Sequence, residues 1–252
     1  MADLPTMSEE DKYLFDLQGF LVVRGVLDAE TLKTLHASMD VNGIAGPEAG
    51  DISKSRFGNF LSWGEPWRNL IDHARIMPYL SELLGPKFRL DHAYGMAAKA
   101  DTDEGHLGLH HQAGMFNHAC YYATHGQQMH TGLLVVSYTL VDMPVGRGGF
   151  CCIPGSHKAL YNTPGKYYRT DNNPLLTQVP IAAGDVIIFT EALTHGTTKW
   201  RNPHERRSVL LKYCPPYMQF SGSPMNSDIP GLTERQRLIM AGPRIKDRPA
   251  LS

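Results

Sequence analysis

Apolar positions recur along this chain with two different rhythms. Up to residue 86 the rhythm is helical. Ser8-Glu9-Glu10-Asp11 has a capping hydroxyl followed by an acidic first turn, so a helix is predicted from there to near Gly19. Phe20-Leu21-Val22-Val23 is a short apolar strand. Asp28 then caps a second predicted helix, Ala29 to about Met39, with Leu32 and Leu35 on one face. Residues 41–66 are rich in Gly, Ser and Pro and read as a loop excursion. Ile76 to Leu84 is a third helix, stopped by Gly85-Pro86.

From Lys87 the texture becomes that of strands. Phe88 to Lys99 is strand-like, and residues 101–108 form a polar loop. Thr131 to Met143 is rich in β-branched residues and ends at Pro144 and a Gly146–Gly149 turn. Phe150 to Ile153, Gln178 to Ile181, Val186 to Thr190 and Ser208 to Cys214 complete the predicted strands. Residues 115–130 read as a lid or substrate wall, or else as a solvated surface loop, and 157–175 as a polar, Tyr-rich loop. A last short helix is predicted from Thr233 to Met240. Short strands at even spacing with Gly/Pro turns argue for a barrel or jelly roll. The expected organisation is one domain over 1–252. Residues 1–86 would be mostly helical cover, 87–214 the β core, and 215–252 a C-terminal extension.

Composition narrows the field of functions. With a net charge of -1 the chain has no basic footprint for a nucleic-acid polymer. Its start is acidic and polar, unlike a secretory signal, and it has no apolar run long enough to span a bilayer. Cys120, Cys151, Cys152 and Cys214 form no CxxC pair, which suits reduced thiols and a cytoplasmic location.

Chemistry concentrates in Leu109-His110-His111-Gln112-Ala113-Gly114, Thr194-His195-Gly196-Thr197 and Arg206-Arg207. An early histidine, a late histidine and an arginine soon after it form the pattern of a non-haem iron oxygenase. Such an enzyme holds Fe(II) with two imidazoles and a carboxylate.

Three further stretches carry a resemblance. They are Gly148-Gly149-Phe150-Cys151-Cys152-Ile153-Pro154-Gly155-Ser156-His157-Lys158, Gly184-Asp185 through His195-Gly196-Thr197, and Gly19-Phe20-Leu21-Val22-Val23 through Leu27-Asp28. With them the sequence resembles the phytanoyl-CoA dioxygenase family of iron(II)/2-oxoglutarate enzymes. The resemblance implies a mainly β fold with flanking helices, a double-stranded β-helix of the jelly-roll or cupin kind. It implies Fe(II), 2-oxoglutarate and O2 as cofactor and co-substrates. His111 and His195 would be iron ligands, and Arg206 and Thr197 would hold the distal carboxylate of 2-oxoglutarate. Gln112 and Lys99 are further candidates for the co-substrate. A second register, with His110 as ligand and Gln112 two residues on, stays open.

One departure governs the reaction. Where the family places an aspartate two residues after the first histidine, this chain has Ala113. The same replacement is seen in halogenases of the superfamily, where the vacated position takes a halide. The resemblance therefore points to radical halogenation of an aliphatic C–H in a small molecule, with chloride as a further ligand. The alternatives are a hydroxylase in which water or another carboxylate fills the gap, Asp101, Asp103 or Glu104 being the suspects, and an inactive ligand-binding homologue. Asn117, His118, Tyr121 and Arg169 are candidate substrate contacts on the two long loops.

Overall fold

The computed structural model describes residues 7–44, 56–99, 108–110 and 119–251. The fold is mainly β with flanking helices, a jelly roll of two facing antiparallel sheets. The strands are β1 (Phe20–Val23), β2 (Arg56–Phe57), β3 (Arg89–Ala98), β4 (Tyr122–His125), β5 (Gln128–Thr131), β6 (Leu134–Thr139), β7 (Gly149–Cys152), β8 (Thr177–Gln178), β9 (Val186–Thr190), β10 (His195–Thr198) and β11 (Arg206–Cys214). The larger sheet runs β1-β9-β6-β11-β3-β2, the smaller β10-β7-β8, and β4 and β5 form a separate hairpin.

The helices are α1 (Glu9–Gln18), α2 (Ala29–Val41), α3 (Glu65–Arg68), α4 (Met77–Leu84) and α5 (Glu234–Met240). Ser8 and Asp28 cap α1 and α2 through side-chain bonds to the amides of Asp11 and Thr31, as their positions predict. Gly19 ends α1 at φ 82, and a Cβ there would lie 2.6 Å from the His157 ring. That close approach seats the start of β1 against the Pro154-Gly155-Ser156-His157-Lys158 turn.

Strand alternation decides what each face of the large sheet meets. Leu134, Val136 and Tyr138 of β6, Val186 and Ile188 of β9, and Val209, Leu211 and Tyr213 of β11 face the helices. There they join Phe15, Leu35, Met39, Leu80 and Ile239 in the main apolar core. The intervening residues, Val135, Ile187 and Phe189, face the smaller sheet and pack with Phe150, Cys152 and Trp200. Burial of this many aliphatic and aromatic side chains, each worth roughly 1.5–3 kcal/mol, is the main force holding the layers together.

The described residues also depart from the sequence expectation. The stretch before residue 87 supplies β2 to the large sheet in addition to the expected strand β1. The excursion over 41–66 contains β2, a 3-10 turn at Phe60–Trp63 and the start of α3. Phe57 stacks on Trp63, and Trp63 meets Trp67 edge to face, and that aromatic packing orders a segment whose Gly/Ser content suggests none. The expected wall over 115–130 contains the β4–β5 hairpin, turning at Gly126 with φ 61. The strand expected over Gln178–Ile181 shortens to β8, with Ile181 held to Met143 by one bridge. No described helix is long and apolar enough to cross a membrane, and the four cysteines are free and buried.

Candidate active site

The space between the two sheets is lined by His110, Glu191, His195, Thr197, Arg206 and Lys212, with Tyr94, Met96, Phe150 and Phe189 among the apolar and aromatic walls. Two motifs singled out in the sequence place His195. The Ile153 amide donates to the Thr194 carbonyl at 2.9 Å, and the Thr194 amide donates to Ser156 Oγ at 2.8 Å. The Pro154-Gly155-Ser156 turn therefore grips the residue before His195 from both sides. Strand β10 then pairs with β7, setting His195 opposite Cys152 and Thr197 opposite Phe150.

His110 meets His195 directly. Each amide donates to the other's carbonyl, at 2.9 and 3.2 Å, and the ring centroids lie 4.3 Å apart. The Nδ1–H of His195 donates to the Leu193 carbonyl at 2.7 Å, and that of His110 to the Gly108 carbonyl at 2.9 Å. These bonds set, on both rings, the tautomer whose Nε2 carries the lone pair, as metal-ligating histidines require. Glu191 completes the group: ligand atoms of His110, Glu191 and His195 all lie within 4.8 Å of one another. Two imidazoles and a carboxylate at such spacing suit a non-haem iron or similar divalent ion.

Glu191 is fully buried and its Oε1 accepts from Lys212 Nζ at 2.5 Å. Burial alone would lower the pKa of the Lys212 ammonium. Glu191 and the Tyr94 hydroxyl together raise it, so Lys212 is a cation in this wall.

Arg206 adds a second positive charge to the cavity wall. It begins β11, faces the same space, and is 6% exposed, yet its Nε and Nη1 have no hydrogen-bond partner among the described residues. Burial pushes its pKa down to about 10, which still leaves it charged at neutral pH. A buried guanidinium without a counter-charge is costly. Its two open donors are the shape of a carboxylate clamp, and Thr197 lines the same space. The donor set thus fits both a divalent metal and a dicarboxylate.

The remaining sequence candidates fall in several places. His111, Gln112, Ala113, Asn117 and His118 lie outside the described residues, as do Asp101, Asp103 and Glu104. Lys99 follows the last residue of β3, is partly buried, and is not among the residues that line the cavity. The Tyr121 hydroxyl bonds to that of Tyr217 at 2.7 Å, beside a separate small core. Arg169 is exposed and donates to the carbonyl of Asn172 within its own loop. Arg207 turns to the opposite face from Arg206 and ion-pairs Asp40 and Glu205, tying β11 to α2. Glu191 and Lys212 escaped notice in the sequence, and Ser156 was singled out there only as part of its motif. Glu191 lies just past the end of β9, in the turn that leads to His195 at the start of β10, so the two belong to no common helix or strand whose periodicity would pair them.

The model of the phytanoyl-CoA dioxygenase (PhyH) family matches residues 15–208. A dioxygenase, cdmD, from Talaromyces verruculosus is 23% identical over 238 residues, covering 83% of this chain and 73% of its own length. HygX from Streptomyces hygroscopicus, solved with nickel and 2-oxoglutarate bound, superposes with a TM-score of 0.75 at 21% identity, over 85% of this chain and 89% of that one. The 2-oxoglutarate-dependent epimerase SnoN from nogalamycin biosynthesis superposes with a TM-score of 0.63 at 23% identity, over 97% and 98% of the two chains.

Proposed function

The chain belongs to the phytanoyl-CoA dioxygenase family, and we propose that it is an iron(II)/2-oxoglutarate-dependent oxygenase acting on an aliphatic C–H bond of a small molecule. The observation that carries this reading is Arg206. A guanidinium that is buried, charged and, among the described residues, open at two donors calls for an anion, and it faces the same cavity as the paired imidazoles. A dicarboxylate answers both ends of that cavity, one carboxylate for Arg206 and Thr197, the other toward the histidines. HygX, of the same fold, was crystallised with a metal and 2-oxoglutarate, which supports the assignment.

Bound iron, together with 2-oxoglutarate and O2, supplies the oxidising power for C–H cleavage. The protein's own groups hold and orient. His195 and His110 present Nε2 because their Nδ1 protons are committed to carbonyls. Arg206 fixes the far end of the co-substrate, and Phe150 and Phe189 keep the cavity walls apolar. Their low polarity strengthens each charge interaction inside.

Within this class, oxygen transfer has the support of Glu191, a carboxylate beside the two histidines that could take the part of the missing aspartate. Halogenation has the support of Ala113 in the His-Gln-Ala motif. Anaerobic titration of the iron-loaded protein with 2-oxoglutarate, with and without chloride, tests both levels. A visible charge-transfer band on adding 2-oxoglutarate is expected. Its absence would overturn the oxygenase reading, and a chloride-dependent shift of the band would favour halogenation over hydroxylation.

A further inference from the structure

We propose that a row of three aromatic rings, Tyr94, His92 and Phe220, is the binding wall for a flat, conjugated ring system in the organic substrate. This deepens the oxygenase reading and rests on it for the identity of the cavity.

His92 and Tyr94 are alternate residues of β3, so they share one face of the strand. Their partners across the sheet are Lys212 and Leu210, and Tyr94, Leu210 and Lys212 all line the cavity. The His92 and Tyr94 rings lie 6.2 Å apart at an interplanar angle of 15°, and the Phe220 ring lies 6.0 Å from His92 at 22°. The row thus begins in the cavity at Tyr94 and reaches the surface at Phe220, which is 47% exposed.

The row is built, not incidental. Asp91 is fully buried and accepts from His92 Nδ1 at 2.7 Å, from the Phe220 amide at 2.9 Å and from the Ser221 amide at 3.0 Å. Arg89 donates to the same carboxylate at 3.1 Å. One carboxylate therefore fixes the tilt of the imidazole and the position of the phenyl ring. Tyr94 is held in turn by the Arg56 guanidinium, 4.7 Å from its ring centroid, and by Lys212, 5.6 Å from it.

Register gives the row its direction. Arg206 pairs with Ala98 and Lys212 with His92, so the rings stand at the end of β11 away from Arg206. That is the end where Lys212 bonds Glu191, beside the histidines. A ring lying on Phe220 and His92 approaches those groups without crossing the co-substrate's clamp. Near-parallel aromatic side chains gain most from a partner that is itself conjugated, offset-stacked or edge-to-face, because a saturated ring offers area without a matching quadrupole.

The test is binding, which needs no turnover. Calorimetric titration of the iron-free protein with 2-naphthol is compared with titration by its saturated counterpart, decahydro-2-naphthol. Stronger binding of the naphthol is expected, weakened roughly two- to tenfold by Phe220→Leu and by His92→Ala, and kept in Phe220→Tyr. Equal binding of the two probes, or naphthol affinity unchanged in both weakening variants, would overturn the proposal. Affinity for 2-oxoglutarate, which depends on Arg206 at the other end, reports separately on the oxygenase reading.

Discussion

His110 and His195 exchange both of their backbone hydrogen bonds, at 2.9 and 3.2 Å, so the two rings are locked side by side by main chain and not by side-chain packing alone. Their separation in sequence is large, but their mutual position is as fixed as that of neighbours in a ladder. This is the kind of rigid support a metal site needs.

The first prediction concerns which of the tandem histidines binds. The sequence motif favours His111, whereas His110 is the one that the described residues bring to His195. His110→Ala and His195→Ala are each expected to lower affinity for Co(II), followed by its visible absorption, by tenfold or more. His111→Ala is expected to lower it less. The reverse order would move the ligand role to His111 and reinstate the register with Ala113 beside it.

Arg206 yields a paired prediction. Arg206→Ala should weaken 2-oxoglutarate binding by ~2–5 kcal/mol, the cost of leaving a desolvated carboxylate without its partner. Arg206→Met should lose the same affinity and yet raise the melting temperature of the ligand-free protein, because it removes a buried charge with two open donors. If Arg206→Met melts lower than the parent, the guanidinium also serves the fold.

The fold and much of the site were legible in the sequence, for reasons that differ by residue. The caps Ser8 and Asp28, the strand Val186–Thr190 and the glycine-rich turn into Phe150 follow local rules, and local rules can be read from one chain. Arg206 stood out through its distance from His195, and Arg207 fell to the opposite face by simple alternation. Glu191, Lys212 and the Phe220–His92–Tyr94 row could not be read in the same way. Each depends on pairing between segments far apart in the chain, such as the register that sets His92 opposite Lys212. The short pieces β2 and α3 were invisible for another reason: interlocking of Phe57, Trp63 and Trp67 overrides a local composition that favours loop.

Ser156 gives a prediction about positioning. Ser156→Ala removes the acceptor for the Thr194 amide in a fully buried setting, and should cost about 1–3 kcal/mol of stability. Because Thr194 precedes His195, the same variant should bind Co(II) more weakly than its loss of stability explains. Co(II) affinity measured well below the melting temperature separates the two effects. An unaltered affinity there would limit Ser156 to the fold.

His157 sets the pH dependence of stability. It is 1% exposed, its Nε2 donates to the Asp16 carbonyl at 3.1 Å, and burial lowers its pKa from the ordinary 6.5 to about 4. The unfolded chain therefore binds a proton near pH 6.5 that the folded protein refuses until about pH 4. Stability from this group is complete above pH 6.5 and is lost as the pH falls toward 4, by on the order of 3 kcal/mol in all. Urea unfolding at pH 7.5, 6, 5 and 4.5 should show this fall. His157→Gln cannot titrate, and should be less stable at pH 7.5 but should lose less on acidification. Parallel pH profiles for the variant and the parent would assign the acid sensitivity to other groups, and the contact between Gly19 and the His157 ring would then be purely steric.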